Sequence, residues 1–184
     1  MPAPLPPDPV VVHALAGAAA LVFVVGAAQK VRDWQSFRSA LDAYRLLPDA
    51  LVTPVALALP ALEFVAGLAL LVPSFRDAGA LLAAVLLVIV TGAVAINLAR
   101  GRTDIDCGCG GAEGRQRLSR GLVVRNAVLL LAVAVSVQQV GARALGTLDY
   151  ATVAFASLAL YGLYACASQL LANRPRLLEF GNRG

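Results

Sequence analysis

Two cysteines separated by a single glycine are the residues of this sequence best suited to chemistry. Cys107 and Cys109 lie in the segment DIDCGCGG, residues 104–111. A disulfide between cysteines so close together needs a tight, strained turn, and Gly108 relieves part of that strain because glycine tolerates positive φ. A strained disulfide is easily reduced, so it oxidises other thiols readily. The spacing favours thiol exchange over a structural staple, because closing so short a loop removes little unfolded-chain entropy.

Charged and polar side chains accompany these cysteines. Arg100 favours the reactive thiolate, whereas Asp106 disfavours it, so the net effect on the thiols stays open. A third cysteine, Cys166, lies late in an apolar run, and its end of that run is predicted on the same membrane side as the pair. It is either a third thiol of the site or an ordinary small apolar helix residue. Polar residues at or just inside the ends of other runs are predicted to frame a pocket beside the thiols: Asn97, Arg100, Arg125 and Asn126.

Two charges fall inside apolar runs, and such charges are costly enough to be functional candidates. Glu63 lies near the middle of its run, and Arg125 lies about one turn inside another. Their depths differ by several helical turns, which does not favour a direct ion pair. Glu63 is then either a neutral, protonated residue hydrogen-bonded between helices, or a proton relay or polar contact to a quinone ring.

Metal binding is the competing use of a close cysteine pair. A closed zinc site needs four ligands, and the only histidine, His13, is predicted near the opposite membrane face. We therefore assign no metal. A two- or three-thiolate site for a soft ion such as Cu(I) remains the alternative, with Cys107, Cys109 and Cys166 as its ligands.

The composition places these residues in a membrane. The chain is 59% hydrophobic and 14% charged, with a mean hydropathy of +0.77, far from the usual range of soluble domains. We predict an all-α integral membrane protein, a bundle of about five transmembrane helices with a four-helix core plus one. Apolar runs near the roughly 20 residues of a spanning helix cover 10–28, 50–72, 78–99, 121–142 and 150–173, within one domain (10–173) between an unstructured lead (1–9) and a tail (174–184).

A different periodicity follows the first apolar run. Trp34, Phe37, Leu41 and Tyr44 are spaced three, four and three apart with charges between them. This pattern predicts a short amphipathic helix lying in the membrane interface, ended by Pro48, which cannot continue helical hydrogen bonding. A docking element that sets the depth of the bundle is favoured over a binding role.

Positive charges predict the orientation. Lysines and arginines collect in the first and third loops and in the tail, which all lie on one side of the bundle. Such loops stay preferentially in the cytoplasm. We therefore expect a multi-pass protein of the plasma membrane with its N-terminus outside and its tail and Cys-Gly-Cys loop at the cytoplasmic face. The net charge of +4 then suits the anionic inner leaflet and needs no nucleic acid; the oligomeric state is left open.

Several segments together resemble the MauE family of methylamine-utilisation proteins, which is related to the DoxX-like membrane proteins. They are Gln29-Lys30, the Phe37 to Tyr44 segment with LLP, LPALEF around Glu63, INLARGRTDIDCGCGG, and Arg125-Asn126. The Asp-Cys-Gly-Cys loop after an Asn-containing run is the most specific. Family members often carry an aromatic residue after the second cysteine, and here Gly110 occupies that position.

The resemblance implies a membrane thiol redox protein that works with a thioredoxin-like partner in the maturation of disulfide-containing enzymes. The layout is also similar to that of quinone-linked four-helix thiol oxidases, which implies a quinone as electron acceptor. We expect a thiol:disulfide oxidoreductase in which Cys107 and Cys109 exchange, Arg100 and Arg125 stabilise thiolate, and Glu63 handles protons. The alternative is a non-enzymatic assembly factor or a Cu(I) carrier.

The predicted orientation conflicts with this implied role. Disulfide-making partners of this kind act outside the cytoplasm, whereas the charges place Cys107 and Cys109 at the inner face. Three explanations stay open: the loop acts on cytoplasmic thiols, a pocket connects it to the other side, or the orientation is reversed.

Overall fold

The described chain is built from α-helices. The computed structural model describes residues 7–108, 116–138 and 143–181, with the backbone alone for 174–181. Within these ranges it contains no strand beyond an isolated bridge, which confirms the predicted all-α class. The elements are α1 (Pro9–Arg32), α2 (Trp34–Ala43), α3 (Asp49–Leu71), a short 3₁₀ turn (Pro73–Phe75), α4 (Arg76–Ala99), α5 (Arg120–Val135) and α6 (Thr147–Gly181).

Length and apolar composition make this a helical membrane protein. In the described part, four segments are long and apolar enough to cross a bilayer: α1, α3, Pro73–Ala99 and Thr147–Asn173. The fifth expected span, 121–142, is shorter than predicted, because α5 has only 16 residues. It rises about 24 Å, less than the roughly 30 Å of a hydrocarbon core. It ends at Val135, where the next residue, Ser136, donates its hydroxyl to the carbonyl of Val133 at 2.7 Å.

Four helices form the core, and α6 lies against them. Small and branched side chains of α1, α3, α4 and α5 pack into one cluster, which Tyr164 of α6 touches from outside. The α6 helix packs along α1, where the Ser157 hydroxyl donates to the carbonyl of Ala14 at 3.1 Å. This is the predicted core of four helices plus one. The buried cluster consists of Ala19, Ala20, Phe23, Ala66, Leu70, Ala80, Ala83, Leu86, Leu87, Leu129 and Val133.

One end of the bundle is held by exposed charges. Asp8 caps α1 by accepting from the Val10 N–H at 2.8 Å. Arg143 reaches Asp149 at the start of α6 at 3.0 Å and Asp8 at 3.4 Å. The hydrogen bond and charge of Asp149, followed by the charge of Asp8, raise the pKa of Arg143 above its already high value.

The chain ends differ partly from expectation. The lead predicted over 1–9 has its residues 1–6 outside the described ranges, and α1 begins at Pro9. The backbone of α6 continues as far as Gly181, into the range 174–184 that we assigned to a tail.

Candidate functional site

The cysteine loop begins with a helix stop of defined geometry. After α4, Gly101 adopts a φ of +72°, and its N–H donates to the carbonyl of Leu98 at 3.0 Å. The N–H of Arg102 donates to the carbonyl of Asn97, also at 3.0 Å. These two bonds form a Schellman motif, in which glycine is the residue that tolerates the left-handed conformation. The turn directs the chain back toward α2.

Arg102 fastens the end of α2 to the end of α4. Its guanidinium donates to the carbonyls of Ala43 at 2.9 Å and Tyr44 at 3.2 Å, the last acceptors of α2, which lack partners inside their own helix. It also donates to Oδ1 of Asn97 at 3.2 Å. Asn97 is fully buried and donates to the carbonyl of Ala93 at 3.1 Å. Asn97 is thus linked to the end of α2 through Arg102.

Backbone bonds close the stem of the loop. Asp106 and Arg117 form the isolated bridge. On one side of it, the N–H of Cys107 donates to the carbonyl of Gln116 at 2.8 Å. On the other side, the N–H of Leu118 donates to the carbonyl of Ile105 at 3.1 Å. Beyond the bridge, Oδ1 of Asp106 accepts from the N–H of Gly108 at 3.1 Å. Asp106 thus shapes the turn. The predicted partner, Cys109, lies outside the described residues.

Gly108 is required by this turn. Its φ is +69°, which L side chains rarely adopt. A Cβ here would also lie 3.2 Å from Cβ of Ala40 and 3.3 Å from Cδ2 of Phe37. The first turn after Cys107 is therefore pressed directly against α2.

Cys107 is enclosed by this arrangement. It is 7% exposed and packs with Tyr44, Val94, Leu118 and Leu122, while the Tyr44 hydroxyl donates to its carbonyl at 3.2 Å. The amphipathic pattern correctly predicted α2, but its apolar face covers the cysteine loop as well as meeting the bundle. This contact could not be found from the periodicity, which shows that a face is apolar without showing what it meets.

Two predicted site residues lie apart from this enclosure. Cys166 is exposed on α6. Its neighbour Ser168 contacts Arg125, and residues two apart on a helix point about 200° from each other, so Cys166 faces away from the cluster. Arg100 is exposed at the end of α4, and its guanidinium makes no hydrogen bond or ion pair with the residues that the structure describes.

A second polar region lies deeper in the bundle. Nζ of Lys30 donates to both carboxylate oxygens of Glu63, at 2.7 and 2.9 Å, and the two side chains are only 11% and 10% exposed. Lys30 is thus a partner of Glu63 that was not considered from sequence. Lys30 reaches inward along α1, where a Cβ on Gly26 would lie 3.8 Å from Nζ. From the sequence, Lys30 was assigned to the first loop with the other cations. The one local sign that its side chain could lie along α1 was Gly26, four residues earlier, which leaves space beside the helix.

Arg125 organises the polar side chains between α5 and α6. Its guanidinium donates to Oδ1 of Asn126 at 3.1 and 3.3 Å and to Oγ of Ser168 at 3.4 Å, and it lies 5.3 Å from the centre of the Tyr164 ring. Asn126 donates in turn to Oγ1 of Thr91 at 3.0 Å. Arg125 and Asn126, which are consecutive in the sequence, thus bond to each other and to side chains of α6 and α4.

Gln116 connects the cysteine loop to the side chains around Arg125. Its backbone carbonyl accepts from the N–H of Cys107, and its side-chain Oε1 accepts from Arg125 at 3.5 Å. Gln116 itself is 3% exposed. Sequence inspection missed it, because a glutamine in a polar loop carries no signal of burial.

Lys30, Glu63, Arg125 and Asn126 share one cleft with apolar walls. Its volume is about 70 Å³, and five helices contribute to it. Glu63 and Arg125 therefore line the same space without pairing with each other. The remaining lining residues are Val22, Phe23, Gly26, Leu86, Leu87, Val90, Leu129 and Tyr164.

Comparison with known proteins assigns the family. The family described as "Methylamine utilisation protein MauE" matches residues 8–139. The chain belongs to the MauE family. It is 38% identical over 164 residues to the methylamine utilization protein MauE of Paracoccus versutus, covering 89% of this chain and 88% of that one. It is 41% identical over 130 residues to that of Paracoccus denitrificans (70% of each). No solved structure matches it.

The MauE match covers most of the site described above. The matched range includes Cys107, Gln116 and Arg125, as well as Lys30 and Glu63, and ends before α6. In the described part of this MauE-family chain, no group of three or more His, Cys, Asp or Glu side chains is placed to hold a metal ion.

Proposed function

We propose that this MauE-family protein serves methylamine utilisation as a membrane thiol:disulfide redox protein, with Cys107 and Cys109 as the exchanging pair and a thioredoxin-like protein as partner. The utilisation role is inferred from the name of its relatives, methylamine utilization protein MauE. The redox role rests on the local construction around Cys107.

The observation that carries the redox role is the closed stem of the loop. Backbone hydrogen bonds between residues 105–107 and residues 116–118 already hold the two sides of the loop together. A disulfide between Cys107 and Cys109 would close only three residues next to this stem, and so short a closure adds little stability. The pair is better explained by reactivity than by stapling.

The exchange needs no atom from outside the two proteins. The thiolate of one cysteine attacks a disulfide sulfur of the partner, forming a mixed disulfide and releasing the partner's other sulfur as thiolate. The second cysteine, after losing its proton, attacks the mixed disulfide, leaving the partner reduced and Cys107 bonded to Cys109. The reverse sequence oxidises the partner and leaves Cys107 and Cys109 as thiols, and this is the direction that an electron acceptor such as a quinone would serve.

The surrounding residues position Cys107 for this exchange. Its N–H is held by Gln116 and its carbonyl by Tyr44, so the backbone stays in place while the sulfur changes partner. Arg125 donates to the side chain of Gln116, and we propose that its positive charge favours the thiolate. Glu63, whose charge Lys30 balances, is the proposed proton carrier of the bundle interior.

A quinone is the proposed electron acceptor, and the cleft fits part of one. Lys30, Arg125 and Asn126 line it together with apolar side chains. The volume of about 70 Å³ is roughly half of the ~150 Å³ that accommodates benzene in an engineered cavity, so one edge of a ring can enter. A bound quinone supplies the capacity to accept two electrons and two protons.

The proposed location is the plasma membrane, with the cysteine loop at the cytoplasmic face. The positive charges of the loops near α2 and the cysteines support it. Labelling of intact cells with a membrane-impermeant thiol reagent, before and after lysis, measures the side directly. We expect the loop thiols to be labelled only after lysis. Labelling of these thiols in intact cells would show that the loop faces the outside of the cell.

Cysteine variants in cells test the proposed function. Cys107→Ser and Cys109→Ser should each abolish growth that depends on methylamine, while Cys166→Ser serves as the matched control and should grow normally. Membrane levels of each variant are measured by immunoblot, so that loss of protein is separated from loss of activity. Full growth of both loop variants would instead favour the non-enzymatic assembly role.

A further inference from the structure

Cys107 is closed to a second protein by the packing around it. The residue is 7% exposed, and its neighbours come from four parts of the chain: Tyr44 at the end of α2, Val94 of α4, Leu118 of the loop stem and Leu122 of α5. Thiol exchange requires that the attacking sulfur reach the disulfide sulfur. A disulfide carried on a folded partner therefore does not reach Cys107 while this packing is in place.

The cover over Cys107 is fastened from several sides. The Tyr44 hydroxyl donates to the Cys107 carbonyl at 3.2 Å, and Arg102 donates to the Tyr44 carbonyl, also at 3.2 Å. Further along α2, Nε of Arg38 donates to Oγ1 of Thr53 on α3 at 3.0 Å. These bonds tie α2 to the loop, to the segment after α4 and to α3, so the closure belongs to the fold.

The second step of the exchange needs no opening to the surface. The two cysteines are separated only by Gly108, whose φ of +69° and hydrogen bond to Asp106 make the chain turn directly after Cys107. Attack by one cysteine of the pair on the other is intramolecular, and such a reaction is accelerated by proximity. An enclosed thiol suits this step and is poorly suited to the first attack on a partner.

We propose that Cys107 is the resolving cysteine of the pair and that the mixed disulfide with the partner forms on Cys109. The assignment rests on the proposed function, because it orders the two thiols within that exchange, and the closure of Cys107 carries it. It means that Cys107 forms and breaks a bond with Cys109 alone.

The order of bonds is the same in both directions of the exchange. To reduce the partner, the Cys109 thiolate attacks the partner's disulfide and releases one partner thiolate. Cys107, after losing its proton, then attacks Sγ of Cys109 and releases the other. To oxidise the partner, a partner thiolate attacks Sγ of Cys109 and Cys107 leaves as thiolate. The partner's second thiolate then attacks the mixed disulfide and releases Cys109.

Two single-cysteine chains in lipid nanodiscs test the assignment. Cys107→Ala with Cys166→Ser retains Cys109, and Cys109→Ala with Cys166→Ser retains Cys107. The probe is a thioredoxin with one active-site cysteine, activated as its mixed disulfide with thionitrobenzoate. Release of thionitrobenzoate gives the rate, and non-reducing electrophoresis shows the covalent complex. Because access controls the reaction, we expect the chain that retains Cys109 to react at least about tenfold faster.

Further variants separate the effect of the cover from intrinsic reactivity. Added to the chain that retains Cys107, Arg102→Met should accelerate the reaction with thioredoxin at least about threefold, since access increases when α2 is released. Arg143→Met, at the opposite end, should leave the rate unchanged. In denaturant, the small reagent dithiodipyridine should react with both single-cysteine chains within about twofold, because access is then equal. Cys107→Ser is measured beside Cys107→Ala, so that one misfolded variant does not decide the result.

The outcomes distinguish this assignment from the proposed function. If the folded chain that retains Cys107 reacts with activated thioredoxin as fast as the chain that retains Cys109, the assignment is overturned, while thiol exchange with a thioredoxin-like protein stands. If neither chain reacts with activated thioredoxin although both react with dithiodipyridine in denaturant, the assignment and the proposed partner are overturned together.

Discussion

The two ends of the bundle use polar side chains in opposite ways. At the cysteine end, Arg102 is half-buried and donates to two backbone carbonyls and to a fully buried asparagine. At the other end, Arg143 is 47% exposed and pairs with the carboxylates of Asp8 and Asp149. Buried hydrogen bonds are costly to leave unmade, whereas exposed ion pairs contribute little. The difference indicates that rigidity is concentrated around Cys107.

The largest expected effect concerns the ion pair that lies just below the cysteine end. Lys30→Met leaves Glu63 in the bundle without its ammonium partner, and breaking one side of a buried pair costs roughly 3–5 kcal/mol. Thermal or denaturant unfolding in micelles measures this loss. The double variant Lys30→Met, Glu63→Gln removes both charges and should recover most of it; an equally unstable double variant would contradict the importance of the pair.

The next effect sharpens the contrast between the two arginines. Arg102→Met leaves the carbonyls of Ala43 and Tyr44 and the side chain of Asn97 without their charged donor, a loss of roughly 2–3 kcal/mol. Because α2 is then no longer fastened to α4, alkylation of Cys107 should also become faster. Arg100→Met, an exposed arginine two residues away, is the control and should change neither stability nor alkylation.

A smaller effect is expected within the turn itself. Gly108→Ala puts an L residue at a φ of +69° and brings its methyl group close to Ala40 and Phe37. We expect a loss of about 1–2 kcal/mol together with greater accessibility of Cys107, because α2 must move outward. Gly101→Ala has a similar φ but meets nothing within 4 Å, so it should lose stability without exposing Cys107. Equal rates of Cys107 alkylation in the two variants would contradict the inference that α2 covers Cys107.

The smallest effect belongs to the opposite end. Arg143→Met removes only exposed pairs, so unfolding should remain within experimental error of the unmodified protein, and alkylation of Cys107 should be unchanged. A loss as large as that of Arg102→Met would show that the two ends do not differ in the way described here.

The sequence predicted the elements better than their contacts. The apolar runs and the spacing of Phe37 and Tyr44 were sufficient for the all-α class and for α2, because helical periodicity is a local property. The Cys-Gly-Cys segment and the Asn97 region were likewise visible as local patterns. The shorter α5 was missed because the hydropathy continues past Val135, while the helix does not.

The contacts of the site depend on tertiary packing and were therefore not predictable from spacing. Lys30 and Glu63 are 33 residues apart, and Arg102 and Ala43 are 59 residues apart, so no local pattern links them. The burial of Gln116 likewise follows from the closing of the loop stem. Glu63 and Arg125 were singled out as intramembrane charges, and both line one cleft, but the cation that pairs with Glu63 was assigned to a loop.

A redox titration of the full chain in lipid nanodiscs tests the central claim most directly. Thiols are alkylated at a series of buffer potentials and assigned by peptide mass spectrometry. We predict that Cys107 and Cys109 lose their thiols together and regain them reversibly, while Cys166 is alkylated at every potential. Retention of the Cys107 thiol at all potentials, or its oxidation independently of Cys109, would contradict the account.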